Sequence, residues 1–359
     1  MRRDDIELYL CSLLQEPVRV NKLAHLGGKP GDLETKAYGY GTPMRVDYET
    51  ADGEPRHAVI HTITPGDFGH EHMADRAQIL LWQHRAFNSL PRHVRALDVA
   101  GFGPDGEITS VGNVNEFCLV TEYLEGDTYA RDLERIAATG EVRPCDLARA
   151  DALADYLVDI HRKPKDQPGL YTRRIRELVG HGECLMGLID SFPDDGVVPQ
   201  EVLRGIEHRA VEWRWRLKNR VHRLRQVHGD FHPWNILFQK GAEFHLLDRS
   251  RGEYGDPADD VACLTANYLF FSLRSAGRLE GSFNELFHRF WDRYLNRSGD
   301  LEILEAAPPF FTFRSLVMAS PVWYPNLDES VRRKLISFAT AVLDAPSFNP
   351  DEVNHYCAA

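Results

Sequence analysis

With 359 residues, 43% hydrophobic and 27% charged, the chain has apolar material for two domains or one large two-lobed one. Its formal net charge of −12 argues against a general nucleic-acid-binding role, which needs a basic face against phosphate. Six scattered cysteines without Cys-x-x-Cys spacing read as reduced thiols, and the most apolar window, 268–273, is far too short to span a bilayer. Acids at Asp4, Asp5 and Glu7 interrupt any signal-peptide pattern. A soluble, cytoplasmic protein with no nucleic-acid or membrane partner is expected, its oligomeric state open.

In chain order, residues 5–15 read as a short amphipathic helix with Ile6, Leu10, Leu13 and Leu14 on one face. Strands are predicted over 18–26, 44–50 and 57–64. Between the first two lie a polar loop at 29–36 and the run Ala37-Tyr38-Gly39-Tyr40-Gly41-Thr42-Pro43. Without a Cβ, Gly39 and Gly41 would let backbone N–H groups approach phosphate, although the pair also suits an ordinary turn. A helix is predicted over 73–90, with Ala77, Leu80, Leu81, Trp82 and Phe87 on its apolar side. His70-Glu71-His72 before it looks like a metal-ligand pair, but the further ligands of a hydrolase motif are missing, so a solvated helix start is preferred. Strands over 94–99 and 116–123 would complete a β-rich lobe.

The remainder reads as helical. Ala150, Leu153, Ala154, Leu157 and Ile160 mark a helix over 148–161, and two helices joined by a loop at 192–199 fill 163–226. The run from His208 to Arg225, rich in Arg, Lys and Trp, suits either an anionic acceptor or a solvated face with Trp213 or Trp215 turned inward. Further helices follow to residue 346, the last strongly patterned one over 330–343. Phe310, Phe311 and Phe313 read as core first and acceptor pocket second.

Chemistry concentrates in His228-Gly229-Asp230-Phe231-His232-Pro233-Trp234-Asn235-Ile236-Leu237-Phe238 and in Phe244-His245-Leu246-Leu247-Asp248. The apolar runs predict a hairpin turning at Lys240-Gly241, with Asn235 and Asp248 at adjacent strand ends. Two carboxylates, Asp230 and Asp248, and the Asn235 amide suit a hard cation such as Mg²⁺. The plainer alternative is a metal-free Asp/Asn turn.

Asp230 stands five residues before Asn235, and the loop carries every fixed residue of His-Gly-Asp-x-His-x-x-Asn. It resembles the catalytic loop of the aminoglycoside phosphotransferase and choline kinase branch of the protein-kinase-like superfamily, and Gly255-Asp256-Pro257-Ala258-Asp259-Asp260-Val261-Ala262 resembles that branch's Gly-Asp-Pro-x-x-Asp-Leu-Ala block. The resemblance implies an α+β, two-lobed kinase-like fold. Residues 1–121 would form the nucleotide-binding lobe, an antiparallel sheet with one main helix. Residues 122–359 would form the larger helical lobe with catalytic loop and acceptor site, and the hinge would fall at about 121–126. It also implies phosphorylation of a small-molecule hydroxyl dependent on ATP (or GTP) and Mg²⁺. Asp230 would be the catalytic base and Asn235 and Asp248 the metal ligands. His232 and Arg251 would face the acceptor, while His228, Asp256 and Asp260 would brace the loop. Gly39, Gly41 and Thr42 would approach the phosphates, and Thr121, Glu122 and Leu124 the adenine.

One departure stands out. His61 occupies the third-strand position where a kinase-like enzyme has Lys or Arg, and Ala77 stands where its Glu partner is expected. Lys36, three residues before Gly39, is the proposed replacement cation. Nucleotidyl transfer on the same scaffold and a catalytically silent nucleotide-binding scaffold remain alternatives, and the acceptor stays open.

Overall fold

A computed structural model describes residues 2–26, 41, 43–66, 69–194 and 197–358. The chain divides into two compact units, residues 1–122 and 123–359, each an assembly of helices and small antiparallel sheets of α+β class. No described helix is long and apolar enough to cross a membrane.

In the first unit, helix α1 (Arg3–Leu14) packs on a sheet of β1 (Val18–His25), β2 (Met44–Thr50) and β3 (Pro55–Ile60), in the order β1-β2-β3. Ile6 and Leu10 of the helix meet Val18, Val20, Val46 and Tyr48 of the strands, the period-3.6 face of one against the period-2 face of the other. The third strand stops at Ile60, short of the expected Thr64, because its partner runs out there: Ile60 pairs with Met44, the first residue of β2. Helix α2 (Met73–Ser89) forms where periodicity places it, and the Asp75 carboxylate accepts the His72 N–H at 2.8 Å at its start. Its expected apolar side is not buried, and Trp82 is 70% exposed.

The strands expected over 94–99 and 116–123 do not form. A short hairpin stands instead, β4 (Ala100–Phe102) against β5 (Ile108–Ser110), closed by the turn at Gly106 with φ 91°. Alternation supplies only a local preference, and a strand also needs a neighbouring edge to take its N–H and C=O groups. Among the described residues Leu119 and Val120 have no ladder partner, and they are 88% and 87% exposed.

The second unit is mainly helical. Strand β6 (Asp127–Thr128) leads into α3 (Tyr129–Thr139), followed by α4 (Pro144–His161), α5 (Pro168–Gly180), the short α6 (Leu185–Ile189) and α7 (Gln200–Leu217). Trp213 is the inward tryptophan of α7, its indole N–H donating to the Leu343 carbonyl at 2.9 Å, whereas Trp215 is exposed beneath Lys218. After β7 (Arg225–Gln226) come β8 (Ile236–Phe238), β9 (Phe244–Leu246) and β10 (Tyr254–Gly255). Strands β6, β8 and β9 form one antiparallel sheet, and β7 pairs with β10.

Helix α8 (Pro257–Ala276) is the axis of this unit, buried continuously from Pro257 to Leu273. Its sequence carries its own boundaries: Asp256 caps the start through the Ala258 N–H at 2.9 Å, Pro257 occupies the first turn, and Gly277 ends it at φ 73°. Around it lie α9 (Gly281–Ser298), α10 (Ile303–Ala306), α11 (Pro308–Ala319) and α12 (Glu329–Asp344). Phe310, Phe311 and Phe313 are core, as their helical spacing favours.

Candidate active site

The loop 228–235 hangs from the start of α8. The backbone N–H groups of His228 and Gly229 donate to the two oxygens of Asp260 at 2.8 and 2.7 Å, and the same carboxylate faces His161 Nε2 at 3.1 Å. Asp260 is fully buried, so these donors offset its desolvation, and they hold its carboxyl below the usual range against the opposing pull of burial. Gly229 takes φ 86°, and a Cβ there would come within 3.2 Å of the Arg251 Cβ; glycine suits both demands. His228 Nε2 lies 3.0 Å from the Leu247 carbonyl, which can only accept, so Nε2 carries the proton and Nδ1 receives the Asp230 N–H at 3.2 Å. Burial pushes the His228 pKa down, which favours this neutral form.

Strand pairing brings the next two candidates near each other. Ile236 pairs with Leu246, and the Leu247 N–H donates to the Asn235 carbonyl at 2.9 Å, so Asn235 lies across the ladder from the residue before Asp248. The Asn235 side chain is buried and its Nδ2 donates to the Asp230 carbonyl at 3.1 Å, which assigns Oδ1 as its acceptor atom. Asp248 adopts φ 44°, a left-handed conformation uncommon outside glycine, and is exposed. A cavity of about 190 Å³ opens at this point, with His228, Leu247, Asp248 and Arg249 in its wall. Among the described residues no group of three or more His, Cys, Asp or Glu gathers as a metal site. An amide oxygen and one carboxylate form an all-oxygen donor set that fits a hard cation whose remaining ligands are water and phosphate.

Asp230 is ringed by two arginines and a histidine. Its Oδ1 accepts from Arg314 Nη1 at 2.5 Å and faces Arg251 Nε at 3.8 Å, while its Oδ2 faces His232 Nε2 at 3.5 Å. Burial alone would raise its pKa, but the His232 hydrogen bond and the Arg314 and Arg251 charges outweigh it and hold the carboxyl well below the usual range. The group is therefore an anion at neutral pH, fixed in orientation.

Against this geometry, the pattern of the phosphotransferase enzyme family matches residues 71–296, a span that contains the whole loop, Asp248 and the start of α8. The chain belongs to the phosphotransferase enzyme family. A solved glucosamine kinase is similar over 66% of this chain and 57% of its own, at 18% identity and a TM-score of 0.35. This chain thus spans little more than half the length of that kinase. An amicoumacin kinase in complex with AMP-PNP, Ca²⁺ and Ami is similar over 92% and 91% of the two chains, at 14% identity and a TM-score of 0.41. An ethanolamine kinase of Plasmodium vivax is similar over 94% and 80%, at 13% identity and a TM-score of 0.35. No curated protein matches.

The other expected site residues are placed unevenly. Asp256 does not touch the loop: it caps α8 and takes a bidentate contact from Arg223 at 2.8 and 2.9 Å and a hydrogen bond from Tyr171 at 2.8 Å. Lys36, Gly39 and Thr42 lie outside the described residues. At Gly41 a Cβ would come within 2.0 Å of the Thr62 carbonyl oxygen, so close backbone approach requires glycine there. His61 is exposed just past the end of β3, Thr121 and Glu122 are exposed and outside any strand, and Leu124 is half-buried at the start of the second unit. Arg314 and Asp259, both buried at the site, were not anticipated. The available signal was an arginine inside the apolar run of α11, Pro308-Pro309-Phe310-Phe311-Thr312-Phe313-Arg314-Ser315-Leu316, since a charge there needs a buried partner.

Proposed function

We propose that this phosphotransferase moves the γ-phosphoryl group of ATP to a hydroxyl of a small molecule, in a Mg²⁺-dependent reaction. The observation that carries the reading is the linkage of Asp230, Asn235 and Asp248: the Asn235 amide is bonded to the Asp230 backbone, and the β8–β9 ladder brings Asp248 alongside. Mg²⁺ held by Asn235 and Asp248 would neutralise charge on the polyphosphate. Asp230 Oδ2, the oxygen turned away from Arg314, would orient the acceptor O–H and take its proton. The acceptor oxygen bonds to the γ-phosphorus while the bond from that phosphorus to the bridging oxygen breaks, and ADP leaves. Most of the rate then comes from positioning and electrostatics, because the reaction asks little covalent chemistry of the protein. Arg249, Ser250 and Arg251 replace the Phe-Gly that follows the metal Asp in protein kinases, which favours a small acceptor over a protein one.

The test is a screen of sugars, amino alcohols, nucleosides and aminoglycosides with γ-labelled ATP and Mg²⁺, read by mass spectrometry. Label in an acceptor supports the reading, and α-phosphate in the product replaces it with nucleotidyl transfer. For the metal, Asp248→Ala is expected to raise the Mg²⁺ concentration needed for half-maximal ATP binding by about 10-fold or more. Calorimetric titrations at fixed ATP would show it, and an unchanged requirement would remove Asp248 from the metal site.

One observation favours a silent scaffold: His61 stands in place of the third-strand lysine and is exposed. An imidazole does not supply the fixed positive charge that a lysine does. We assign the missing charge to Lys36, so Lys36→Ala is expected to weaken ATP binding by about 10-fold and His61→Ala by much less. Parent-like affinity in Lys36→Ala refutes the relocation. If neither change matters and no acceptor is labelled, the scaffold reading prevails.

A further inference from the structure

Arg314 lies beyond the span that the family pattern matches, on a helix 84 residues away from Asp230 in sequence, yet it is the closest cation to that carboxylate. Arg314 is 5% exposed, and its guanidinium makes three contacts in a fork. Nη1 donates to Asp230 Oδ1 at 2.5 Å, and Nη2 donates to the Gly229 carbonyl at 2.9 Å and to Asp259 Oδ1 at 2.6 Å. Two of these acceptors belong to the loop and the third to the first turn of α8. Phe313, next to it on α11, lies under the same guanidinium at 4.5 Å.

We propose that Arg314 is a positioning residue that locks Asp230 for the transfer step, an inference that rests on the functional reading above. A planar fork with fixed donor directions can hold a carboxylate oxygen and a backbone carbonyl of adjacent residues at once, which a lysine ammonium on a flexible stem cannot match. By occupying Oδ1 it leaves Oδ2 as the oxygen presented to an acceptor. Asp259 completes the arrangement. A lone arginine this deeply buried would be costly, and a second carboxylate on its far side offsets that cost and keeps the guanidinium from swinging toward solvent. The carbonyl contact to Gly229 couples the same guanidinium to the one loop residue with a left-handed backbone, so carboxylate and loop are set together. The apolar helix α11 thus carries a single buried charge whose contacts all point at the loop and its anchor.

The experiment measures ADP release from ATP and Mg²⁺, with water and with any acceptor from the screen, together with nucleotide Kd, for Arg314→Lys, Asp259→Asn, Asp230→Asn and the two double variants with Asp230→Asn. Arg314→Lys is expected to lower kcat by about 10- to 100-fold with Kd for ATP and KM for ATP within about twofold, the loss typical of a slightly misplaced catalytic group. Asp259→Asn is isosteric and loosens the fork from one side, so a smaller loss in kcat is expected, and it keeps the test open if the lysine variant does not fold. The deciding result is coupling. In the Asp230→Asn background neither change is expected to cost further turnover, because a residue that acts only through Asp230 has nothing left to position. Parent-like kcat in both single variants, or losses that multiply with that of Asp230→Asn, overturns the proposal. Undiminished turnover in Asp230→Asn alone, or a parent that turns over no ATP under any of these conditions, overturns the functional reading itself and this inference with it.

Discussion

Asp230→Asn is expected to reduce phosphoryl turnover by about 10²-fold or more while leaving the Kd for ATP within about twofold. Asparagine keeps the shape of the side chain but cannot take a proton from an acceptor hydroxyl. It also removes the anion that Arg314, Arg251 and His232 converge on, so two guanidinium groups and an imidazole lose their common partner. Some loss of stability is therefore expected in either case, and the affinity for ATP separates two roles for the residue. If Asp230 mainly anchored the loop, the variant would lose thermal stability, ATP affinity and turnover together, since Asn235 hangs from its carbonyl. If it is the acceptor base, the backbone carbonyl survives the substitution and turnover collapses while ATP affinity holds. Single-turnover kinetics beside a calorimetric ATP titration decide between them.

Arg223→Ala carries the largest expected effect on stability, a loss of about 3–5 kcal/mol, because it leaves a buried carboxylate without its counter-charge. Arg223 is buried and makes a bidentate contact to Asp256 and further contacts to Asp300 at 2.9 and 3.2 Å. Asp256 is the N-cap of α8, and α8 in turn supplies Asp260 to the catalytic loop, so the damage is expected to spread to the site. Urea unfolding followed by circular dichroism would measure it; a change below about 1 kcal/mol would show that the pair contributes little. The same pair gives a pH dependence. Burial alone would raise the Asp256 pKa, but the charge and hydrogen bonds of Arg223, with those of Ala258 and Tyr171, hold it below its ordinary value. A carboxyl depressed in the folded state contributes stability that is full above its unfolded pKa of about 3.9 and is lost as pH falls toward the folded value. The parent should therefore lose stability in acid more steeply than Arg223→Ala.

Local signals in the chain were reliable for the short strands and turns that they specify. The loop from His228 to Asn235 and the short strands around Asp248 were legible because a fixed spacing of polar residues between apolar runs leaves few backbone solutions. Helix α8 was not delimited from the sequence, although its cap, its first-turn proline and its terminal glycine stand there. Strand assignment over 94–99 and 116–123 failed because a strand exists only against a partner, and no short-range pattern names that partner.

Family membership and the sequence positions of Asp230, Asn235 and Asp248 were thus determined by the amino-acid order alone: they rest on neighbours within about twenty residues. Long-range electrostatics were decided only by the tertiary structure. Arg314 reaches Asp230 across 84 residues and Asp259 across 55, and Arg223 reaches Asp256 across 33. A buried charge announces that it needs a partner but not which one, because the partner is chosen by how the helices pack.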